Sequence, residues 1–221
     1  MAAPAEDARY ENINTSAIQE TYQKVLKNLK PAPTTQEAEA LIEALAYKAA
    51  ARVEGRNGAS FDANDSSTGF TCVFNQCTQN KSMEEQLYGF YQKLWDAYLR
   101  EVVAPATAAP ETNQEKLVEL SKRYKQFMKL VRMWPGQIFK YLDRFYTPKK
   151  NLPTTKLVAY QRFREIIFSG KESGVKDAVL NLIYRDREGE PVDRDQLKTV
   201  IRIFVDCGLK QVSDGVFESW C

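Results

Sequence analysis

An all-α fold is what this amino-acid sequence predicts, and three observations predict it. Eight separated segments place apolar residues at steps of three and four, the spacing of one helix face. No segment alternates apolar and polar residues in the manner of a half-buried strand. Helix-start residues precede several of the stripes: Thr34 with Glu37 and Ser82 with Glu85 at capping-box spacing, and Asp193 before the last one.

The first stripe is Ile18, Tyr22, Val25, Leu26 and Leu29, stopped by Pro31 and Pro33. The second runs through Ala38, Leu41, Leu45, Ala49 and Val53, with Ile42 and Ala46 alongside. Its alanines at 49–51 would let a neighbouring helix approach closely. Residues 54–81 are rich in Gly, Asn, Asp, Ser and Thr and lose the periodicity, so a mobile loop is expected there, anchored by Phe61, Phe70 and Phe74. A third helix carries Leu87, Phe90, Tyr91, Leu94, Tyr98 and Leu99, and "VAPATAAPETN" reads as a hinge-like linker. The fourth carries Leu117, Leu120, Tyr124, Phe127, Met128 and Val131.

Proline inside a helix removes a hydrogen bond and clashes with the preceding turn, whereas the first turn accepts it. Pro135 is therefore expected to open a fifth helix that ends near Tyr146. On it Ile138, Leu142 and Phe145 fall on the inner face, Asp143 and Arg144 on the outer, and Tyr141 at the boundary. Three further stripes follow "TPKKNLPTT", and Gly208 is a stop signal for the last.

Composition narrows the function. Of 221 residues 43% are hydrophobic, ordinary for a folded domain. The 31 Lys and Arg against 29 Asp and Glu leave a net charge of +2, with no overall pull toward nucleic acid or acidic lipid. No histidine is present, which excludes Ser-His-Asp and Cys-His machinery, and no other catalytic constellation can be assembled. Cys72 and Cys77 form a C-x4-C pair that would be half a zinc site, but reduced structural thiols are the preferred reading, so neither metal nor cofactor is expected. The amino terminus has no apolar segment of a signal peptide, and no apolar run approaches the ~20 residues of a membrane span.

The order of these helices and several of their words resemble the amino-terminal, cullin-repeat part of a cullin, the scaffold of multisubunit ubiquitin ligases. The most specific stretch is "LNLIYRDREGEPVDRDQLKTVIRIFVDCGL", Leu180 to Leu209. "IFKYLDRFY" resembles the end of the fifth helix of the first repeat, "FREIIF" a word in the following helix, and "LYGFYQKLWDAYL" the third helix.

The resemblance implies an elongated bundle with one five-helix repeat and part of a second. Its parts would be a flexible terminus over 1–13, the first repeat over 14–150, and a truncated second repeat over 151–221. It implies a non-catalytic scaffold arm whose second and fifth helices bind a substrate-receptor adaptor of Skp-like or BTB fold. Through that adaptor it would meet an F-box or other receptor, and a RING subunit would join only a full-length chain. The implied setting is the cytoplasm and nucleus. The matching contact positions are Tyr141, Asp143 and Arg144 on the fifth helix and Ala38, Ile42 and Ala46 on the second, with Tyr47 one place out of register. None of those three on the second helix is aromatic, so either the matching register shifts by one or the implied surface is more aliphatic than the family's usual one. From periodicity alone the outer face of the fifth helix is a solvated surface whose local charge pair is worth under ~1 kcal/mol. The alternative to a ligase scaffold is a generic helical domain that binds protein or RNA.

Overall fold

The structure is a computed structural model of the chain and describes residues 15–56, 59–168 and 172–207. Among the described residues every regular element is helical. The expected flexible terminus and the Gly208 stop lie outside them. Contacts divide the chain into two compact units: Met1–Trp95 with Met128–Ala159, and Asp96–Phe127 with Tyr160–Cys221. The divisions fall at 95–96, 127–128 and 159–160, each inside a helix.

In the first unit, helix α1 is Ser16–Leu26 and α2 is Thr35–Glu54. The predicted capping box is present: Thr34 accepts from the Glu37 N–H while the Glu37 carboxylate accepts from the Thr34 N–H. At the other end Gly55, at φ 74°, supplies the left-handed cap that lets the last carbonyls bond onward. Helix α2 is central. Ala38, Leu41, Ile42, Ala44, Leu45, Ala46, Tyr47 and Ala49–Ala51 are all buried, and small side chains allow its neighbours to close in on most sides.

The expected loop over 54–81 is a helix instead: α3 spans Ala63–Gln79. A second capping box starts it, with Asp62 accepting from the Asp65 N–H and Asp65 accepting from the Asp62 N–H. The Asp65 carboxylate, buried at 2% exposure, is neutralised by Lys48 of α2 at 2.9 Å. The buried side is Asp65, Thr68, Gly69, Cys72, Val73, Gln76 and Cys77, a helical period written in small and polar residues. Hydropathy reading misses such a period because it contains few large apolar side chains.

Helix α4, Ser82–Tyr98, begins where the Asn80 side chain accepts from the N–H and hydroxyl of Ser82, so Asn80 rather than Ser82 supplies the cap acceptor. It continues through a π-helical turn, Leu99–Val103, into α5, Ala104–Ala108. The expected hinge is thus mostly helical. Helix α6, Asn113–Met133, leads into a π-helical turn, Trp134–Ile138. Pro135 opens no new helix. The wider turn accommodates its missing N–H, and the Phe139 N–H reaches the Trp134 carbonyl at 2.9 Å. The real interruption is Phe139, with φ −95° and ψ 11°. A further π-helical turn, Leu142–Tyr146, precedes α7, Thr147–Lys150, which contains Pro148. Three of the π turns therefore touch or adjoin a proline, the residue that crowds the carbonyl four positions earlier.

Two tryptophans lock this unit. Trp134 donates from Nε1 to the Ala46 carbonyl at 3.1 Å, and its ring lies 4.5 Å from that of Trp95. Both are core residues.

Helix α8, Thr155–Phe163, passes through the π turn Arg164–Phe168. In the second unit α9 is Glu172–Arg187 and α10 is Arg194–Asp206, capped by Asp193 as predicted. Leu117, Val179, Leu182 and Val200 form its buried cluster. An aromatic chain runs Phe127–Phe163–Phe168–Phe204 at 4.6, 6.1 and 5.9 Å, and the Tyr124 hydroxyl donates to Asp206 at 2.6 Å.

Candidate functional site

The end of the fifth predicted helix lies wholly in the first unit, and the structure sorts its residues differently from the simple stripe. The line Ile138, Leu142, Tyr146 is buried, a step of four at each interval. A π-helical turn carries more residues per revolution than an α-helical one, so Tyr146 takes the inner place expected for Phe145. Phe145 is 47% exposed.

Tyr141 moves the other way. Expected at the rim with a half-open ring, it is 4% exposed. Its hydroxyl donates to the buried Glu84 carboxylate at 3.1 Å, with Lys81 at 3.5 Å from the same oxygen. Burial, and then the Glu84 bond, raise the ionisation of the phenol above its ordinary value. Ala38, Ile42, Ala46 and Tyr47 are also buried within α2. These five are buried in the core of the unit.

Asp143 and Arg144 do not form the expected local pair. Asp143 is half-buried and bonds the start of α8, accepting from the Thr155 N–H at 2.6 Å and the Thr155 hydroxyl at 2.7 Å. Arg144 is exposed, its guanidinium 5.4 Å from the centre of the Phe145 ring.

An aromatic strip crosses this end of the unit and leaves Phe74 and Phe145 open to solvent. Phe70 stacks on Phe74 at 6.2 Å; Phe74 meets the edge of Tyr141 at 5.8 Å; Tyr141 leans on Phe145 at 4.8 Å. Phe74 is 40% exposed. Beside it a groove of about 400 Å³ runs between α1 and α3, lined by Val25, Leu26, Thr68, Thr71 and Phe74 among others. Sequence reasoning missed Phe74 and Phe145 as surface residues. Phe70 and Phe74 at i, i+4 were a helical signal, hidden inside a segment with loop composition.

The thiols of Cys72, Cys77 and Cys207 are buried, and burial pushes each up to about 12, so at neutral pH they are inert neutral groups. Among the described residues no group of three or more His, Cys, Asp or Glu is placed to hold a metal ion, and no helix is long and apolar enough to cross a membrane.

A family model described as the Cullin alpha solenoid domain matches residues 59–219. This chain belongs to the cullin family. Among related cullins, Cullin-1 of Oryza sativa subsp. japonica is 34% identical over 159 residues, 71% of this chain and 21% of that protein. Cullin-2 of Arabidopsis thaliana is 37% identical over 145 residues, 65% of this chain and 19% of that protein. Cullin-like protein 3 of Arabidopsis thaliana, a shorter cullin relative, is 30% identical over 158 residues, covering 71% of this chain and 60% of its own. The chain spans about a fifth of the length of the first two cullins. The cullin match begins at residue 59 and so includes α3 and every later helix, and with them Phe74, Arg144 and Phe145.

Proposed function

We propose that this chain is a non-catalytic scaffold arm of a cullin-RING-type ubiquitin ligase and that it binds a substrate-receptor adaptor of Skp-like or BTB fold. Membership of the cullin family supports the scaffold role. The observation that carries the binding role is the aromatic strip, which leaves Phe74 and Phe145 open beside the Arg144 cation. Exposed aromatics next to Arg are the residue types that dominate protein–protein hot spots. The adaptor therefore rests on the end of the fifth helix and on α3, while α2 supports that surface from beneath through its buried Ile42 and Tyr47. A RING subunit would be held by a longer chain, and the receptor would be reached through the adaptor. The complex would act in the cytoplasm and nucleus.

Calorimetric titration of the chain with a Skp-like and with a BTB adaptor tests this. At least one is expected to bind. Phe145→Ala should cost ~2 kcal/mol of affinity, and Arg144→Glu should weaken binding while the thermal midpoint holds. No binding by either adaptor, or unchanged affinity in both variants, would overturn the reading.

A further inference from the structure

We infer that the groove between α1 and α3 is an anchor pocket for one aliphatic or aromatic side chain on an acidic protein segment. The inference deepens the adaptor reading and rests on it: the segment belongs to the same partner that covers the aromatic strip. The groove and the strip share a wall, Phe74, so a partner seated on one reaches the other.

Its shape suits a single side chain. About 400 Å³ lies near the lower end of small-ligand pockets, which begin at ~300 Å³. Val25 and Leu26 of α1 face Ser67, Thr71, Phe74 and Asn75 of α3, giving an apolar floor with polar edges. Leu26 is 44% exposed there. Thr68 adds a second, independent feature. Its hydroxyl lines the groove at 1% residue exposure and has no hydrogen-bond partner of good geometry, although the Tyr22 phenol lies nearby. A buried hydroxyl left unbonded is uncommon, and an oxygen on the inserted chain would satisfy it.

The surroundings set the partner's charge. Thr21 to Lys30 holds Lys24, Lys27 and Lys30 and no carboxylate. Ser66 to Lys81 holds no carboxylate either, and Lys81 ends it. Lys24 is committed to Glu20 at 3.0 Å and Lys81 to Glu84 at 3.5 Å, which leaves the exposed Lys27 and Lys30 just beyond the end of α1 and Arg144 at the end of the strip. The chain as a whole is nearly neutral, so this is a local concentration of positive charge around apolar surface. Carboxylates flanking an apolar anchor complement it. A short apolar groove beside exposed leucine favours such a segment over a nucleic acid backbone, which would need a long cationic track.

The test uses the whole chain and the adaptor that binds it. Thr71→Trp plugs the groove from a half-buried position, with Ser67→Trp on the exposed rim as the substitute if the first lowers the thermal midpoint. The plug should weaken adaptor binding at least tenfold. Thr68→Val, nearly isosteric, should weaken it several-fold. Lys27→Glu with Lys30→Glu should weaken it further, and raising salt from ~50 to ~300 mM should lower the affinity of the unaltered chain several-fold. If the plugged chain binds normally while Phe145→Ala does not, the groove inference falls and the adaptor reading stands. If the charge reversal and salt leave affinity unchanged, the acidic partner is wrong. If neither adaptor binds the unaltered chain, both fall together.

Discussion

The Asp143 carboxylate takes both the backbone N–H and the hydroxyl of Thr155, at 2.6 and 2.7 Å, and so caps a helix that begins twelve residues later. The first turn of a helix has N–H groups without partners inside it, and a carboxylate there also meets the positive end of its dipole. Tyr91 strengthens the same junction by donating to the Thr155 carbonyl at 2.7 Å, and Tyr88 donates to that of Pro153 at 2.8 Å. Removing the carboxylate should therefore act on folding. Asp143→Ala is expected to cost ~1–2 kcal/mol of stability, as lost caps do, and to leave adaptor affinity unchanged. Chemical denaturation and titration of one preparation measure both.

Tyr141 and Glu84 form a second joint. Tyr141→Phe keeps the ring between Phe74 and Phe145 but removes the donor to a buried carboxylate. A loss of ~1–3 kcal/mol in unfolding free energy is expected. Lys81, held above its ordinary ionisation by Tyr141 and Glu84, stays on that carboxylate and limits the damage. A variant as stable as the unaltered protein would show that the hydroxyl contributes nothing.

The buried thiols make stability depend on pH in the alkaline range. Cys72, Cys77 and Cys207 are each pushed up to about 12 by burial, whereas a thiol in an unfolded chain ionises near ~8.5. Above that pH the unfolded chain has lost protons that the folded chain keeps. Their contribution is therefore complete below ~8.5 and declines as pH rises towards 12, by up to ~1.4 kcal/mol per pH unit for each thiol. Denaturant midpoints at pH 8 and 9.5 should fall in that order. Cys72→Ala should shrink the difference even though it lowers both midpoints; an undiminished difference would assign the effect elsewhere.

Gly69 marks the closest approach of α3. A β-carbon there would meet Ile138 at 3.1 Å and Leu45 at 3.4 Å. Alanine gains ~1 kcal/mol of helix propensity against a small displacement of Ile138, so Gly69→Ala should be nearly neutral. Gly69→Val adds bulk that the contact cannot absorb and should cost ~1–3 kcal/mol. Thermal midpoints of the two variants decide it, and a stable valine variant would mean that α3 sits less tightly than described.

How far the sequence reveals this molecule depends on what kind of residue carries the signal. Leu41, Leu45, Tyr91 and Leu94 are large, apolar and periodic, and their helices are readable at once. Helix α3 is not, because Gly69, Cys72, Gln76 and Cys77 bury a face without a hydrophobic stripe, and two of its buried polar groups find tertiary partners: Asp65 in Lys48, and Gln76 in the Pro33 carbonyl, to which it donates at 3.0 Å. The orientation of Tyr141 and Phe145 was also beyond a strict 3.6-residue count, since the Phe139 break and the π turn after it shift the phase. The site was legible as a place along the chain. Which of its side chains face outward was decided by that shift.

Helix α2 carries one further consequence, for divergence among relatives. Between Ala38 and Ala51 every side chain other than Glu39, Ala40, Glu43 and Lys48 is buried, many of them alanines with neighbours drawn in against them. A position that admits only a methyl group cannot be retouched to suit a different partner, because each larger residue would strain the interior first. The helix is frozen as a support. Descendants of this chain that change allegiance must do so by altering its loosely constrained edges: the lysine-bearing end of α1, the outer side of α3, and the pair Arg144 and Phe145.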